Sequence, residues 1–468
     1  MFFKHVYDKS LAQASYVIGC QKKGVAAVID PKRDVDTYLQ IASDNNLEIT
    51  HIFETHIHAD FLSGSRELAE LTGAQMYLSD MGDKNWKYNF DHHPVRHKDE
   101  IWLGNLKFEV IHTPGHTPES ISFLLTDTAA IDQPVMVFTG DFVFVGDVGR
   151  PDLLEKAAGI TGTQEKGAEE MYDSIADFSK LQGYIQLWPG HGAGSACGKA
   201  LGAVPSSTVG YEKIRNWAFK MLDDKEAFKN YLLEDQPEPP KYFAMMKKLN
   251  KEPRPLLTEV PSLNHLTIDN FAKMYKKGVA VIDTRKKELF ADASLRKSIN
   301  IQNNNSLSTW AGWLLDYDEP FILILNEAEK EEVVRKLMRI GLDNIAGYIT
   351  PFEIENYYGQ NLVSYQPISI EEVKSKLDLP SVQIVDVRGA SEFKEAHIPG
   401  ALNVFVGTLP NNLDQISREK EVIIHCQSGD RAATAYSILR RAGFENILNY
   451  SAGMKEWISQ EKPMEAEA

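Results

Sequence analysis

Thr55-His56-Ile57-His58-Ala59-Asp60-Phe61 places two imidazoles and a carboxylate within five residues, directly after the apolar, β-like run Ile49 to Glu54. Imidazole and carboxylate are ligands for zinc, iron or nickel. Three further turns after β-like runs each offer a similar donor. His112-Thr-Pro-Gly-His116-Thr-Pro-Glu-Ser presents His116 beyond a Pro-Gly turn. Val137-Phe-Thr-Gly-Asp141 ends on a carboxylate, and Leu187-Trp-Pro-Gly-His191-Gly on an imidazole. One such histidine is ordinary. Four ordered donor turns at strand ends describe a metal site. Phe61, which closes the first run, cannot ligate a metal.

The second reactive run is Val422-Ile-Ile-His-Cys426-Gln-Ser-Gly-Asp-Arg431-Ala-Ala-Thr. An apolar strand leads to a cysteine, and a short loop then leads to an arginine opening an amphipathic helix through Arg441. The backbone N–H groups of Gln427, Ser428, Gly429 and Asp430 can curl around a sulfur or an anionic substrate. The helix N-terminus and Arg431 add positive potential. Four residues separate Cys426 from Arg431. Cysteine phosphatases use one residue more, giving a wider ring, so the tighter loop suits transferred sulfur. Of the other cysteines, Cys197 sits in the glycine-rich stretch Gly192-Ala-Gly-Ser-Ala-Cys-Gly198, where a thiol can approach a metal mouth. Cys20 ends a β-like run and reads as core.

These elements must be positioned by a chain of 468 residues, long enough for several full cores. A formal net charge of −16 disfavours nonspecific nucleic-acid binding and anionic membrane surfaces. No basic-then-apolar leader stands at the start, and no run of 18 apolar residues occurs. Three well-separated cysteines are no disulfide framework, so a reducing cytoplasm is expected. Asp235-Gln-Pro-Glu-Pro-Pro240 marks a domain exit. Beyond it lies an internal repeat at an offset of 102 to 103 residues. Val279-Ala-Val-Ile-Asp283-Thr-Arg285 matches Val382-Gln-Ile-Val-Asp-Val-Arg388. Ser298-Ile-Asn300-Ile301 matches Ala401-Leu-Asn403-Val404, and Gly341 to Ile345 matches Gly443 to Ile447. Alternating apolar β-runs and amphipathic helices predict parallel α/β units. The expected organisation is a metal domain over 1–240, a linker or bridging helix over 241–257, and two α/β copies over 258–361 and 362–468. The first copy carries Phe321-Ile-Leu-Ile-Leu-Asn-Glu-Ala-Glu-Lys330 where the second has its cysteine loop, so it is expected to be inactive.

The first 235 residues resemble the metallo-β-lactamase superfamily, an αββα sandwich with metal at the strand ends, and within it the persulfide dioxygenase branch. Tyr16-Val-Ile-Gly, Val28-Ile-Asp30-Pro31, Thr139-Gly-Asp141 and Gly149-Arg150-Pro-Asp152 carry that likeness. The resemblance implies one Fe(II) held by His56, His116 and Asp141, the facial triad of non-haem oxygenases. It leaves His58 and Asp60 as groups that orient ligands or water, with His58 open as a direct ligand. It leaves His191 between a substrate contact and a structural role; Arg150, near a turn, is open either as a contact for an anionic substrate or as a structural arginine. Residues 365–460 resemble a rhodanese domain through the Cys426 loop, Asp386-Val-Arg388, Glu392-Phe393 and His397-Ile-Pro-Gly400. Together the resemblances imply oxidation of a small thiol persulfide by O2 to sulfite, followed by sulfur transfer through Cys426 to give thiosulfate, in a homo-oligomer. The alternatives are a zinc-dependent thiolester hydrolase of the glyoxalase II type and a non-catalytic scaffold. Phe61 departs from both patterns: many persulfide dioxygenases keep a histidine there, and the hydrolases need it for a second metal. The resemblance with Phe61 thus implies one ion and weakens the hydrolase reading more.

Overall fold

A computed structural model of the chain describes all residues except 154, 156–162, 200, 235, 237 and 468. The chain divides into two compact units, 1–261 with 338–341, and 262–337 with 342–468.

The first unit is built on two 6-stranded sheets. One follows chain order from edge to edge: Phe2–Asp8, Gln13–Cys20, Val25–Ile29, Glu48–Phe53, Gln75–Ser79 and His93–Val95. The other runs Ser207–Thr208, Gln186–Pro189, Met136–Gly140, Ile121–Asp127, Leu106–His112 and Glu100–Leu103. Their facing sides are apolar and make one core. Phe53 packs there on Phe108 and Phe123, with ring centres 4.9 and 4.7 Å apart, and Tyr16 packs on Phe138 at 5.0 Å. Gln13–Cys20 is buried along its whole length, as a strand covered on both faces must be. Its outer face and that of its neighbours meet Tyr38, Ala42 and Leu68 from two helices, Asp36–Asp44 and Ser65–Thr72, and Val35 just before the first. The outer face of the second sheet meets Met171, Ile175 and Phe178 of the helix Thr163–Phe178. This is the expected αββα sandwich.

The second unit holds two 4-stranded parallel sheets of the same strand order. The first is Ile299–Asn300, Ala280–Asp283, Phe321–Ile324 and Ile345–Ile349. The second is Leu402–Asn403, Val382–Asp386, Glu421–His425 and Ile447–Tyr450. The repeat extends to single hydrogen bonds. Arg285 and Arg388 each fork onto their own Asp283 or Asp386 and donate to the carbonyl of Ala293 or Ala396. Asn300 and Asn403 each donate to the two carbonyls of that Asp and Arg. Among the described residues no helix is long and apolar enough to cross a membrane.

The structure corrects one boundary. The segment 241–257 is no free linker, because its helix Phe243–Lys251 buries Phe243, Met246 and Asn250 within the first unit. Arg254 follows and forks onto the buried Glu67. The proline-rich break before it includes 235 and 237, which lie outside the described residues.

Candidate functional site

Four donor turns leave the same end of the sandwich. Gly140 ends its strand at φ +51°, and a Cβ there would lie 2.3 Å from Thr55 Oγ1. Only glycine lets the turn carrying Asp141 approach the turn carrying His56 so closely. Gly115, at φ +144°, likewise lies against the backbone of Met171.

His56, His116 and Asp141 converge. His56 Nε2 lies 3.8 Å and His116 Nε2 3.6 Å from Asp141 Oδ2. Those spacings are too long for hydrogen bonds and suit a shared ion. The tautomers are set from behind. Thr55 Oγ1 donates its one proton to Asp30 at 2.8 Å, so at 3.0 Å it must accept from His56 Nδ1. His116 Nδ1 donates to the carbonyl of Arg150 at 2.9 Å. Each Nε2 is left with its lone pair facing inward, as metal-bound imidazoles require. Burial, foremost, pushes the pKa of both rings down, and His56 falls well below the usual histidine range. Burial works against ionisation of Asp141, but the charge and hydrogen bond of His191 hold it well below the usual carboxylate range. His56 Nε2 and Asp141 Oδ2 are buried without a hydrogen-bond partner. Two neutral imidazoles, one carboxylate and orphaned inward atoms fit a metal ion.

His58 lies outside this set. Its Nε2 is 3.2 Å from Asp30 and 3.0 Å from Glu54. Burial disfavours its charge, and Asp30 and Glu54 overcome that to raise its pKa well above the usual range. A ring held between two carboxylates braces the turn, and Asp30, Glu54 and His58 form a further group of converging donor atoms. His191 joins Asp60 to Asp141, with 2.7 Å from Nε2 to Asp60 and 2.7 Å from Nδ1 to Asp141 Oδ1. Both nitrogens donate, and the two carboxylates outweigh burial to raise its pKa to about 10.

Asp60, His191 and Cys197 form a second group of converging donor atoms. Cys197 is not at a mouth as expected. It is 1% exposed, and burial, then the charges of Asp141 and Asp60, raise its pKa well above the usual thiol range. It is therefore a protonated thiol. Arg150 is a correction as well. It is fully buried, its guanidinium forks onto Asp152 with both bonds at 2.7 Å, and its backbone carbonyl accepts from His116 Nδ1. A charge so held is not presented to a substrate.

Sequence reading missed the groups that brace the first turn. Glu54 accepts from the hydroxyls of Ser63 and Ser65. Glu119 takes the N–H of Ile57 at 2.8 Å, and burial pushes its pKa up to about 7. Asn250, 192 residues beyond His58, donates to the carbonyls of His58 and Phe61, both at 2.8 Å. A cavity of about 120 Å³ opens beside His116 and is lined by Trp86, Pro118, Pro151 and Lys166. Larger cavities of about 580 and 670 Å³ are lined by none of these donors.

In the second unit Cys426 follows its strand, and Gly429 N–H donates to its Sγ at 3.1 Å. Gly429 has φ +95° and leads into the helix Asp430–Arg441. The backbone N–H groups of Met454 and Lys455 hold the carbonyls of Cys426 and Gln427 outward at 2.9 and 3.0 Å. Arg431 forks onto Glu392 at 2.5 and 2.8 Å. Ser428 is exposed, and Asp430 pairs with Lys287.

Residues 10–227 match the metallo-β-lactamase superfamily, and residues 369–460 match the rhodanese-like domain. A crystal structure of a metallo-β-lactamase from Staphylococcus aureus subsp. aureus COL is 45% identical, covering 75% of this chain and 99% of that one, with a TM-score of 0.68. The chain belongs to the metallo-β-lactamase superfamily. Its superfamily domain is followed by a rhodanese-like domain that holds the Cys426 loop. Persulfide dioxygenase ETHE1 of Bos taurus is 27% identical over 198 residues, which is 41% of this chain and 68% of that protein. Hydroxyacylglutathione hydrolase of Rhodospirillum rubrum is 30% identical over 176 residues, 38% of this chain and 60% of the hydrolase. Three curated relatives are covered over 54%, 60% and 68% of their own length. The metallo-β-lactamase-fold site and the Cys426 loop thus lie in separately matched stretches of one chain.

Proposed function

We propose that this chain oxidises the persulfide of a low-molecular-weight thiol to sulfite at a single Fe(II), and passes sulfane sulfur through Cys426 to sulfite, giving thiosulfate. The observation that carries the reading is the pairing, in one chain, of a two-histidine, one-carboxylate donor set with a cysteine loop whose Gly429 N–H donates to the sulfur. Bound iron would supply open positions for the persulfide and O2, and the redox chemistry between them. The protein's own groups do the rest. His56 and His116 offer neutral lone pairs, and Asp141 offers one negative charge. His191 and Asp60 keep Asp141 from turning, and Cys197 stands beside both carboxylates as a proton-bearing thiol. The small cavity beside His116 suits a small thiol.

Overall, a persulfide, O2 and water give thiol, sulfite and two protons. At Cys426 the S–S bond of a second persulfide breaks, its thiol leaves, and the outer sulfur becomes bound to Cys426. Sulfite then attacks that sulfur. The S–S bond to Cys426 breaks, thiosulfate leaves, and the thiolate returns to the cradle formed by Gly429 N–H and the helix N-terminus.

One observation favours a second reading, a zinc-dependent thiolester hydrolase: the 30% identity to the Rhodospirillum rubrum hydrolase. Phe61 in place of a ligand, and a His191 whose two nitrogens are both engaged, count against the second metal of that reading. The deciding experiment is anaerobic purification, metal analysis, and oxygen uptake with a small-thiol persulfide. A single iron per chain, oxygen consumption and thiosulfate as product are expected. Zinc, no oxygen uptake and turnover of a thiolester would overturn the proposal. Cys426→Ser is expected to keep oxygen uptake and release sulfite in place of thiosulfate; continued thiosulfate would remove Cys426 from the transfer.

A further inference from the structure

The loop after Cys426 turns three successive carbonyls outward. Two are held by backbone N–H groups of the same copy, Met454 on Cys426 and Lys455 on Gln427. The third, Ser428, is held from the copy that has no cysteine. Lys287 opens the helix Lys287–Asp292, and its Nζ donates to Ser428 O at 2.7 Å and to Asp430 Oδ1 at 2.7 Å. It is itself held in place, because its backbone N–H donates to Gln302 Oε1 at 2.9 Å. The same copy anchors the helix behind the loop. Thr434 Oγ1 donates to Asn300 O at 2.8 Å, and Asn300 N–H donates to Ser437 Oγ at 3.0 Å.

The peptide between Ser428 and Gly429 is the one whose N–H reaches Cys426 Sγ. N–H and C=O of a trans peptide point in opposite directions. A cation bound to the carbonyl therefore fixes the N–H toward sulfur and polarises it as a donor. We propose that Lys287 is a positioning residue for Cys426, through which the cysteine-less copy orients and strengthens the hydrogen bond that holds negative charge on the sulfur. This rests on Cys426 being the sulfur carrier of the proposed function. It gives the inactive copy a chemical task.

Other charges surround Cys426 and must be held constant. Arg431 is paired with Glu392, Asp386 with Arg388, and His425 lies buried 3.8 Å from Asp386. Asp430 pairs with Lys287 and takes a bond from Asn304, and Lys455 is exposed beyond the loop.

The test is a pH titration of the ultraviolet thiolate absorbance of the full chain, taken as the difference from the same chain carrying Cys426→Ser. In Lys287→Met the midpoint is expected to move upward, with the thiolate fraction below the midpoint reduced by about threefold, the size of one modest hydrogen bond. Lys287→Arg, which keeps a cation on the carbonyl, is expected to titrate close to the unaltered chain. Asp430→Asn, which breaks the ion pair and leaves Lys287 on the carbonyl, is expected to produce no upward movement. An unmoved midpoint in Lys287→Met overturns the proposal. So does an equal upward movement in Asp430→Asn, since the ion pair would then be the cause. Should Lys287→Met fail to fold by circular dichroism, Lys287→Gln against Lys287→Arg reads the same contrast. The titration needs no sulfur transfer, so its outcome stands apart from that of the proposed activity.

Discussion

Phe61 tests whether the first donor turn is held by packing as well as by hydrogen bonds. The side chain is fully buried, and its ring lies 4.3 Å from the His58 ring at 40°. Its backbone carbonyl is tied to Asn250 whatever the side chain. Phe61→Ala therefore removes a packed ring and leaves a cavity the turn cannot readily fill. Such substitutions cost about 3–5 kcal/mol. A domain's whole stability is about 5–15 kcal/mol, so the loss is a large share of it. At about 2–4 °C per kcal/mol for a unit of this size, the transition should fall by about 6–20 °C. The assay is calorimetry of the full chain, with the first unit's transition recognised as the one that moves when metal is removed. A fall of under about 1 kcal/mol would show that the ring does not pack as described. Metal should remain bound to the folded variant, because His56, His116 and Asp141 keep their partners. Phe61→His should leave the metal count unchanged, since His191 is already committed to Asp60 and Asp141. A second ion per chain in that variant would refute this.

His116→Ala should lose metal while the second unit's melting is unchanged; wild-type metal content would remove His116 from the ligand set. Glu392→Gln should loosen Arg431 and slow sulfur transfer, seen as a lower kcat in a sulfurtransferase assay. Burial opposes ionisation of Glu392, and Arg431 outweighs it, so its pKa is depressed. A depressed carboxylate contributes stability that is present above its ordinary range and lost as pH falls through its folded value. The melting difference between the unaltered chain and Glu392→Gln should thus persist at neutral pH and vanish in acid below the carboxylate range. A difference that stays constant across that window would show that charge is not what Glu392 provides.

The parts of the fold that were legible share a physical cause. Apolar runs such as Val25 to Ile29 and Leu106 to Ile111 are strands because each must bury its side chains between layers, and the donors follow where those runs stop. The repeat was legible because matched Asp, Arg and Asn residues make matched hydrogen bonds in both copies. The supports were not legible. Asp30 and Glu54 look like ordinary carboxylates after a strand, and only folding places His58 between them. Cys197 was expected at an entrance because glycine-rich sequence suggests openness, yet that loop folds inward. Arg150 was expected to meet substrate because its pairing with Asp152, two residues on, has no signature distinct from any charged turn. Lys287 gave no signal, because it stands in a copy whose own loop has lost its cysteine.

Asn250 and Arg254 carry a consequence for how this chain can be divided. The prolines before residue 241 look like the end of a module, but both residues lie past them and reach back, one to the donor turn and one to Glu67. The transplantable piece is accordingly longer than its punctuation suggests. A graft or recombination that stops at Pro240 would carry His56, His116 and Asp141 and still leave the carbonyls of His58 and Phe61 without the amide that fixes them. A piece cut to keep these bonds runs through Arg254.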